Sequence, residues 1–216
     1  MISMIDARLN CEQLGIDIIA LEILLSEQEQ LDERGAGGLL AFFTSRPNLV
    51  LLMSMIFLTG IVPAAYLPEC SILHEFRADY VISNKERSKF VFIEFEHAKR
   101  SSIFCTKVMS KAHHSYQWSR TFEHGFSQVV DWYFRLDDYR RTSRIEEHFG
   151  SSKMEYVGVL VLGRDCFLEQ AGLMQRFEWR RRYTIINSQR LLCFTFDELA
   201  RELRDTYATM LAISAV

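Results

Sequence analysis

Apolar residues recur at helical spacing in the first part of the chain, to about Leu58. The segment "IDIIALEILLSEQEQLDE" predicts a helix, and the glycine-rich "RGAGG" ends the pattern. The apolar positions that carry this prediction are Ile16, Ile19, Ile23 and Leu24.

The uncharged run of residues 47–68, "PNLVLLMSMIFLTGIVPAAYLP", is the most hydrophobic part of the chain's first third. Its continuous apolar part is shorter than the ~20 residues that span a bilayer, and Pro63 and Pro68 interrupt it. The run therefore favours a buried core helix over the alternative of a membrane span, and no membrane partner is expected.

From residue 72 the pattern changes to that of strands. A run around residues 72–83, the polar turn "SNKERSK" and the apolar "FVFIEFE" together predict an antiparallel hairpin. The polar stretch of residues 97–118 that follows predicts a loop or irregular structure.

The rest of the chain alternates helices with strands. The segment "SRTFEHGFSQVVDWYFRLDD" predicts an amphipathic helix, and "YVGVLVLG" predicts a buried strand. A helix across "CFLEQAGLMQRFEWRRR", a strand in "RLLCFTF" and a terminal helix with Asp197 as its N-cap complete the order. This order predicts an α/β fold in which a mixed β-sheet is flanked by helices, with residues 1–70 as an N-terminal helical region and residues 71–216 as the main domain.

Composition narrows the class of protein. The 216 residues are 49% hydrophobic and 25% charged, which suits one compact domain with an N-terminal extension and excludes a disordered chain. The five cysteines include no CxxC pair, so neither a disulfide framework nor a zinc site is expected. No basic segment followed by an apolar one opens the chain, and we expect a cytoplasmic protein.

The formal net charge is −3, so any contact with nucleic acid must come from a local basic patch. One candidate is "RRTSR" at 140–144, and another is "FEWRRR", which contains Arg180, Arg181 and Arg182. A solvated helix end explains each stretch equally well. Arg164 in "LGRD" is a further candidate at a strand end, and an ion pair with Asp165 is its alternative.

Three carboxylates interrupt the predicted hairpin. Glu94 and Glu96 lie on the same side of their strand because side chains alternate, and Asp79 can lie opposite them on the neighbouring strand. Buried carboxylates repel each other unless a cation lies among them, and an oxygen-only set favours Mg²⁺ or Mn²⁺ over zinc. A strand that exposes glutamates to solvent is the alternative interpretation.

These residues resemble the core of the PD-(D/E)XK nucleases, in which an Asp on one strand precedes an apolar run ending in Glu-x-Lys on the next. More specifically, the chain resembles the Shedu anti-phage defence nucleases. The similarity is carried by "RADYVI", "FVFIEFEHAKRSSIF", "HGFSQVVDW", "VGVLVLGR" and "RLLCFTFDELARE", in the family's order from about residue 72 to 205. The part before residue 72 corresponds to the family's variable N-terminal helices.

The resemblance implies that Asp79 and Glu94 bind a metal ion together with the Phe95 carbonyl, and that Gln128 orients water or phosphate near it. Glu96 departs from the pattern, which has lysine at this position, so a cation that would help to activate water is missing. Glu96 is then either an additional ligand or base, or a remnant without function. Lys99 would replace the lysine only if the strand ended quickly.

The family resemblance implies a DNA endonuclease of bacterial anti-phage defence, which uses Mg²⁺ or Mn²⁺ and forms homo-oligomers. Its catalytic residues would be Asp79, Glu94, Glu96 and Gln128. Because of Glu96, a catalytically inactive nuclease-fold protein that binds nucleic acid or a protein partner, as a sensor or scaffold, stays open as the alternative.

Overall fold

The computed structural model describes residues 1–110, 113–140, 142–170 and 172–214, and the side chains of these residues apart from 108–110, 113, 114 and 214. The strands are β1 Ile5–Asp6, β2 Pro63–Ile72, β3 Phe76–Asn84, β4 Lys89–Phe95, β5 Phe104–Ser110, β6 His113–Trp118, β7 Glu155–Val161, β8 Ile185–Ile186, β9 Gln189–Arg190 and β10 Leu192–Phe194. The helices are α1 Cys11–Glu27, α2 Leu39–Thr44, α3 Pro47–Phe57, α4 Arg120–Tyr139, α5 Ser143–Phe149, α6 Leu173–Tyr183 and α7 Phe196–Ser214.

Six of the strands form one mixed sheet in the order β1-β2-β3-β4-β7-β10. The first four pair antiparallel, whereas β4, β7 and β10 run parallel. Parallel neighbours require a crossover, and the chain between β4 and β7 supplies it with α4 and α5. The predicted α/β class with a mixed sheet flanked by helices is therefore confirmed.

Each face of the sheet is covered by its own hydrophobic core. Side chains of α1, α2, α3 and α7 pack on one face, together with Val91, Ile93 and Phe95 of β4. Side chains of α4, α5 and α6 pack on the other face, with Phe90 and Phe92 of the same strand. Strand β4 is thus buried on both sides at the centre of the sheet, as a near-continuous apolar run requires.

The predicted hairpin is confirmed, with β3 and β4 paired from Tyr80–Ile93 to Ser83–Phe90. The prediction for residues 47–68 is wrong in its second half, because only Pro47–Phe57 is helical and Pro63–Ile72 forms β2. Proline is tolerated at the start of a strand and on an edge that needs no N–H. Strand β1 pairs with β2 only at Ala65 and Tyr66, so within the described chain Pro68 lies on such an edge. Strand β2 also crosses the predicted domain boundary at residue 70.

The polarity of residues 97–118 predicted a loop or irregular structure. This prediction is wrong, because the segment contains the antiparallel pair β5–β6. Its polar residues, such as Thr106 and Lys107, are exposed. The pair is anchored at one end, where the ring of Trp118 packs 4.4 Å from that of Phe104 and 4.6 Å from that of Phe122 in α4. Two aromatic anchors thus stabilise a strand pair that lacks a regular apolar alternation.

Helix α1 forms where the spacing predicts it, but with a different face buried. Leu14, Ile18, Leu21 and Leu25 are buried, whereas Ile16, Ile19 and Ile23 are half or more exposed. Apolar residues occupy most of this helix, so periodicity alone could not select the buried side.

Asp197 is not the N-cap of the terminal helix; Thr195 is. The Thr195 hydroxyl accepts a hydrogen bond from the Glu198 N–H at 3.1 Å, and the Glu198 carboxylate accepts one from the Thr195 N–H at 3.0 Å. This reciprocal pair is a capping box. Asp197 lies in the first turn of α7 and binds Arg164 instead.

The uncharged run does not produce a membrane span. Helix α3 has 11 residues, and across the described ranges no helix combines the length and hydropathy that crossing a bilayer needs.

Candidate functional site

The three carboxylates of the hairpin lie together at the end of β4. Asp79, Glu94 and Glu96 are each at least nine-tenths buried, with exposed fractions of 5%, 8% and 6%. Glu94 and Glu96 face α4, while Ile93 and Phe95 pack into the opposite core. The expectation that the two glutamates share a face is confirmed, and the interpretation of a solvent-facing strand is wrong because both are buried.

Asp79 ends the β3–β4 ladder with its side chain. The last regular pair joins Tyr80 to Ile93, and the Phe95 N–H then donates a 2.8 Å hydrogen bond to Asp79 Oδ2. On the other side of β4, Glu96 N–H donates to the Val161 carbonyl at 3.0 Å. Strands β3 and β4 therefore separate at the position where the three acids begin, whereas β4 stays paired with β7.

The ring of Phe95 holds this strand end in place from the opposite face. It stacks on Phe43 of α2 with ring centroids 4.5 Å apart, and on Phe196 of α7 at 5.9 Å. Phe95 is thus held by its N–H, which binds Asp79, and by its ring in the core. Because Glu94 and Glu96 precede and follow it in sequence, both are directed to the opposite face, toward α4.

Helix α4 forms the wall that faces the acids. A Cβ atom at Gly125 would lie 2.6 Å from Leu160 Cδ1 and 3.2 Å from Glu96 Cγ, so the glycine makes room for this glutamate. Gln128, one turn later, interacts with the Glu94 side chain. The stripe His124, Gln128 and Trp132 runs from an exposed histidine to a fully buried tryptophan.

Two oxygen atoms at this wall lack partners. Within the described residues, Glu94 Oε2 and Gln128 Oε1 are buried and accept no hydrogen bond. A buried acceptor without a donor costs on the order of 1–3 kcal/mol, and more when it is charged. The pair of unsatisfied oxygens is therefore a place where a cation or a donor from a ligand would be stabilised.

The pKa values of all three acids are raised. Burial raises the pKa of Glu94 well above its usual range, and the charges of Asp79 and Glu96 raise it further. Burial, followed by the charges of Glu33 and Asp79, raises the pKa of Glu96 to about 8. Burial also raises the pKa of Asp79, although the hydrogen bond from Phe95 acts in the opposite direction. A positive ion among these groups would favour their charged forms.

The loop between α1 and α2, residues 28–38, brings two further charged residues to the site. Arg34 Nη2 lies 3.8 Å from Asp79 Oδ1, and Arg34 Nε lies 2.7 Å from Glu33 Oε1. Glu33 raises the pKa of each of the three hairpin acids. Glu69 of β2 also binds Arg34, with 3.5 Å between Oε1 and Nη1.

The donors of this site are carboxylate and amide oxygens, the type that Mg²⁺ and Mn²⁺ prefer. The unpartnered Glu94 Oε2 fits such an ion in both charge and chemistry. In the described part of the chain, however, no three His, Cys, Asp or Glu side chains form a ready metal-binding group. Asp79 is instead held by Phe95 and by the nearby Arg34.

Arg164, one of the candidates for contact with DNA, is buried, so its guanidinium is not exposed at the strand end. Its Nε and Nη2 atoms bind Asp197 at 2.9–3.1 Å, and Nη2 also donates to the Leu25 carbonyl at 2.8 Å. Nη1 donates to the Gln28 carbonyl at 2.7 Å. The alternative partner Asp165 is wrong as well, since it binds Arg201 at 2.9 Å.

The three consecutive arginines of α6 differ in their surroundings. Arg180 binds Glu123 of α4 at 2.6 and 2.9 Å, and Arg181 binds Glu198 of α7 at 2.7 Å. Arg182 is exposed. Two of the three therefore join helices, and their contact with DNA stays a prediction. In the other basic stretch, Arg141 lies outside the described residues.

Sequence reasoning missed Glu33, Arg34 and the role of Gly125. No local pattern marks the first two, because "DERG" is an ordinary polar loop until the fold places it beside Asp79. Gly125 did carry a signal, since a glycine within a strongly amphipathic helix costs roughly 1 kcal/mol and suggests a close approach.

Lys99 could replace the missing lysine only if its strand ended quickly, and β4 does end at Phe95. The Lys99 ammonium group instead forms an ion pair with Asp32. The three acids themselves are where the hairpin pattern indicated.

Comparison with known proteins supports the resemblance that these residues suggested. Among curated proteins, no sequence matches the chain. Residues 38–200 match the family model described as Shedu protein SduA, C-terminal. The matched range covers most of the chain, including the whole hairpin and α4, whereas α1 and Arg34 lie before it. The chain therefore belongs to the Shedu family, which indicates a part in anti-phage defence.

Proposed function

We propose that this protein is a metal-dependent DNA endonuclease of anti-phage defence, with a core of the PD-(D/E)XK type. The observation that carries the proposal is the cluster of buried Asp79, Glu94 and Glu96 at the splayed end of β4, beside two unsatisfied oxygens. Buried charges of one sign are costly, and binding of a cation and a phosphate is the function that best accounts for them.

Asp79, Glu94, Glu96 and the Phe95 carbonyl would hold Mg²⁺ or Mn²⁺. The Phe95 N–H donates to Asp79, and in a regular strand the C=O of a residue points to the same side as its N–H, which would bring the Phe95 carbonyl to the side of Asp79. A bound divalent ion would polarise a phosphoryl oxygen and lower the pKa of a water molecule. Gln128 positions the attacking water or the phosphate through its unpartnered Oε1 or its amide N–H groups.

The reaction is hydrolysis of a phosphodiester. The oxygen of water bonds to phosphorus, the bond from phosphorus to one ester oxygen breaks, and the products are a phosphate monoester and a free hydroxyl. Glu96 can accept the proton of water in its charged form, which a bound cation would favour, if it is not itself a ligand.

The test is cleavage of supercoiled and linear plasmid DNA in Mg²⁺, in Mn²⁺ and in EDTA. We expect cleavage that requires the ion and falls at least 100-fold in Glu94→Gln, since this change removes the charge of a buried ligand. Glu155→Gln is the matched control, because this exposed glutamate lies on the neighbouring strand β7 and pairs with Lys89. Cleavage in EDTA, or equal rates for Glu94→Gln and wild type, would contradict the proposal.

A binding protein without catalysis is the second candidate, and one residue favours it: Glu96 stands where the general PD-(D/E)XK pattern has lysine. If Glu96 is a ligand, both Glu96→Gln and Glu96→Lys lose cleavage. If it is a remnant in an inert protein, wild type does not cut and Glu96→Lys gains activity. Cleavage assays on the three proteins in Mg²⁺ and Mn²⁺ separate these outcomes.

A further inference from the structure

Arg34 places a positive charge at the mouth of the acidic site. Its guanidinium contacts Glu33 at 2.7 Å and Glu69 at 3.5 Å, and it lies 3.8 Å from Asp79 Oδ1. The side chain is 57% exposed, unlike the acids behind it. A guanidinium has five N–H donors in a planar fork, so one that faces solvent from this position can still bind an anion.

The position of Arg34 is set by the backbone of its loop. Leu31 and Ala98 exchange two backbone hydrogen bonds of 3.0 and 2.9 Å, which join the loop to the residue two places after Glu96. At the other end of the loop, a Cβ atom on Gly38 would lie 2.7 Å from the Arg34 carbonyl oxygen. The loop is therefore folded tightly on itself and attached beside the site.

This loop supplies what the hairpin lacks. Glu96 occupies the position where the general PD-(D/E)XK pattern has lysine, so β4 brings no cation to the phosphate. Lys99 is held in an ion pair with Asp32. Arg34, by contrast, lies with its Nη2 atom 3.8 Å from Asp79 Oδ1. It also lies before residues 38–200, so the family match does not account for it.

We propose that Arg34 binds the phosphate that is cut and stabilises the negative charge that develops on its oxygens, in place of the absent lysine. The inference rests on the proposed nuclease function. A fixed guanidinium suits this role because it binds phosphate oxygens through two N–H groups and keeps its charge at any working pH. Its ion pairs with Glu33 and Glu69 orient it before DNA arrives.

The test compares wild type with Arg34→Gln and Arg34→Lys. Arg77→Gln is the control, because Arg77 binds the same Glu69 at 2.9 Å and is similarly exposed. Three quantities are measured for each protein: the affinity for Mn²⁺ alone by calorimetry, the affinity for a short DNA duplex in Ca²⁺ at several salt concentrations, and the rate of DNA cleavage in Mg²⁺.

We expect opposite effects on metal and substrate. Removing a cation close to Asp79 should strengthen Mn²⁺ binding by roughly fivefold. Arg34→Gln should also weaken DNA binding, reduce its salt slope by about one ion, and slow cleavage by on the order of 10- to 100-fold. Arg34→Lys should keep part of the rate, and Arg77→Gln should cleave as wild type does.

Each other result has a distinct meaning. If wild type cuts DNA and Arg34→Gln cuts equally well, the inference is wrong while the nuclease function stands. If Arg34→Gln loses Mn²⁺ affinity together with activity, Arg34 is only structural and the inference is again overturned. If wild type binds DNA without cutting it and Arg34→Gln weakens that binding, the phosphate contact stands, but the catalytic part of the inference fails together with the nuclease proposal. If wild type neither binds nor cuts, both are overturned.

Discussion

At the scale of single residues, the protein keeps three carboxyl groups where apolar side chains would be more stable. Asp79, Glu94 and Glu96 lie against two hydrophobic cores, and desolvation is the largest cause of the raised pKa of each. Their charged forms are therefore destabilised in the folded protein relative to the unfolded chain. This cost becomes a measurable dependence of stability on pH.

We expect the free energy of unfolding to fall as pH rises from about 4.5 to about 8. In this range the folded state binds more protons than the unfolded state, because the pKa of Glu96 moves from its usual 4.5 to about 8, and stability then decreases with pH. Stability from this group is fully present below pH 4.5 and is lost through pH 8. Urea denaturation from pH 5 to 9 measures it.

Glu96→Gln tests the origin of that dependence. The variant should lose part of the pH slope and be more stable than wild type at pH 8, by on the order of a few kcal/mol. Saturating Mn²⁺ should flatten the slope of wild type more than that of the variant, which keeps only Asp79 and Glu94 as charged ligands. An identical slope in both proteins would show that burial of Glu96 does not govern it.

At the scale of elements, the site depends on how closely α4 approaches the sheet. Two glycines permit this approach, Gly125 in the helix and Gly158 in β7. A Cβ atom at Gly158 would lie 2.5 Å from Val129 Cγ1 and 3.2 Å from Tyr133 Cε1. A side chain at position 158 would therefore push Val129, and with it the neighbouring Gln128, away from the sheet.

Gly158→Ala should therefore destabilise the protein by about 1–3 kcal/mol, the usual cost of an additional group in a full core. Moving Gln128 should also lower Mn²⁺ affinity. Gly37→Ala is the control, because a Cβ atom at Gly37 would have no neighbour within 4 Å. Thermal unfolding of both variants measures the difference, and an equally stable Gly158→Ala would mean that α4 can shift freely.

At the scale of the whole molecule, Arg164 joins the two ends of the chain to the sheet. It follows β7, binds Asp197 at the start of α7, and donates to carbonyl oxygens at the end of α1. This residue, one of the candidates for contact with DNA, thus links the N-terminal helix to the terminal helix.

Arg164→Met should lower the free energy of unfolding by on the order of 2–3 kcal/mol, because the partly buried Asp197 and three carbonyl groups lose a buried partner. Arg201→Gln, which breaks an exposed pair with Asp165, should cost less than about 1 kcal/mol. Denaturant titration compares the two. A mild effect of Arg164→Met that came with weaker DNA binding would restore the nucleic-acid role.

Self-association also belongs to this scale, and it stays a prediction. Helix α1 exposes Ile16, Ile19 and Ile23 along one stripe. Exposure of a contiguous apolar patch to water is unfavourable, and such patches often mark protein–protein interfaces. We expect that a homo-oligomer buries this stripe and that Ile19→Glu lowers the mass measured by light scattering. The exposed Ile185→Glu, on β8, is the control. An unchanged mass in Ile19→Glu would exclude α1 from the interface.

The sequence by itself determined the elements whose pattern is local. Periods of two and 3.6 residues identified the β3–β4 hairpin, α4 and β7, and alternation alone placed Glu94 and Glu96 on one face. The short motifs in their order were enough to identify the family. All of these signals come from residues close together in the chain.

Only the tertiary structure decided the rest, because it depends on contacts between distant residues. Pro63 is compatible with β2 because it begins the strand and Pro68 because it lies on a free edge, and the polar β5–β6 pair is anchored against α4 through Trp118. Arg164 is buried because Asp197 and the end of α1 surround it with acceptors. Arg34 lies in an unremarkable loop, 45 residues before Asp79, and acquires a role only where the folded chain brings the two charges together.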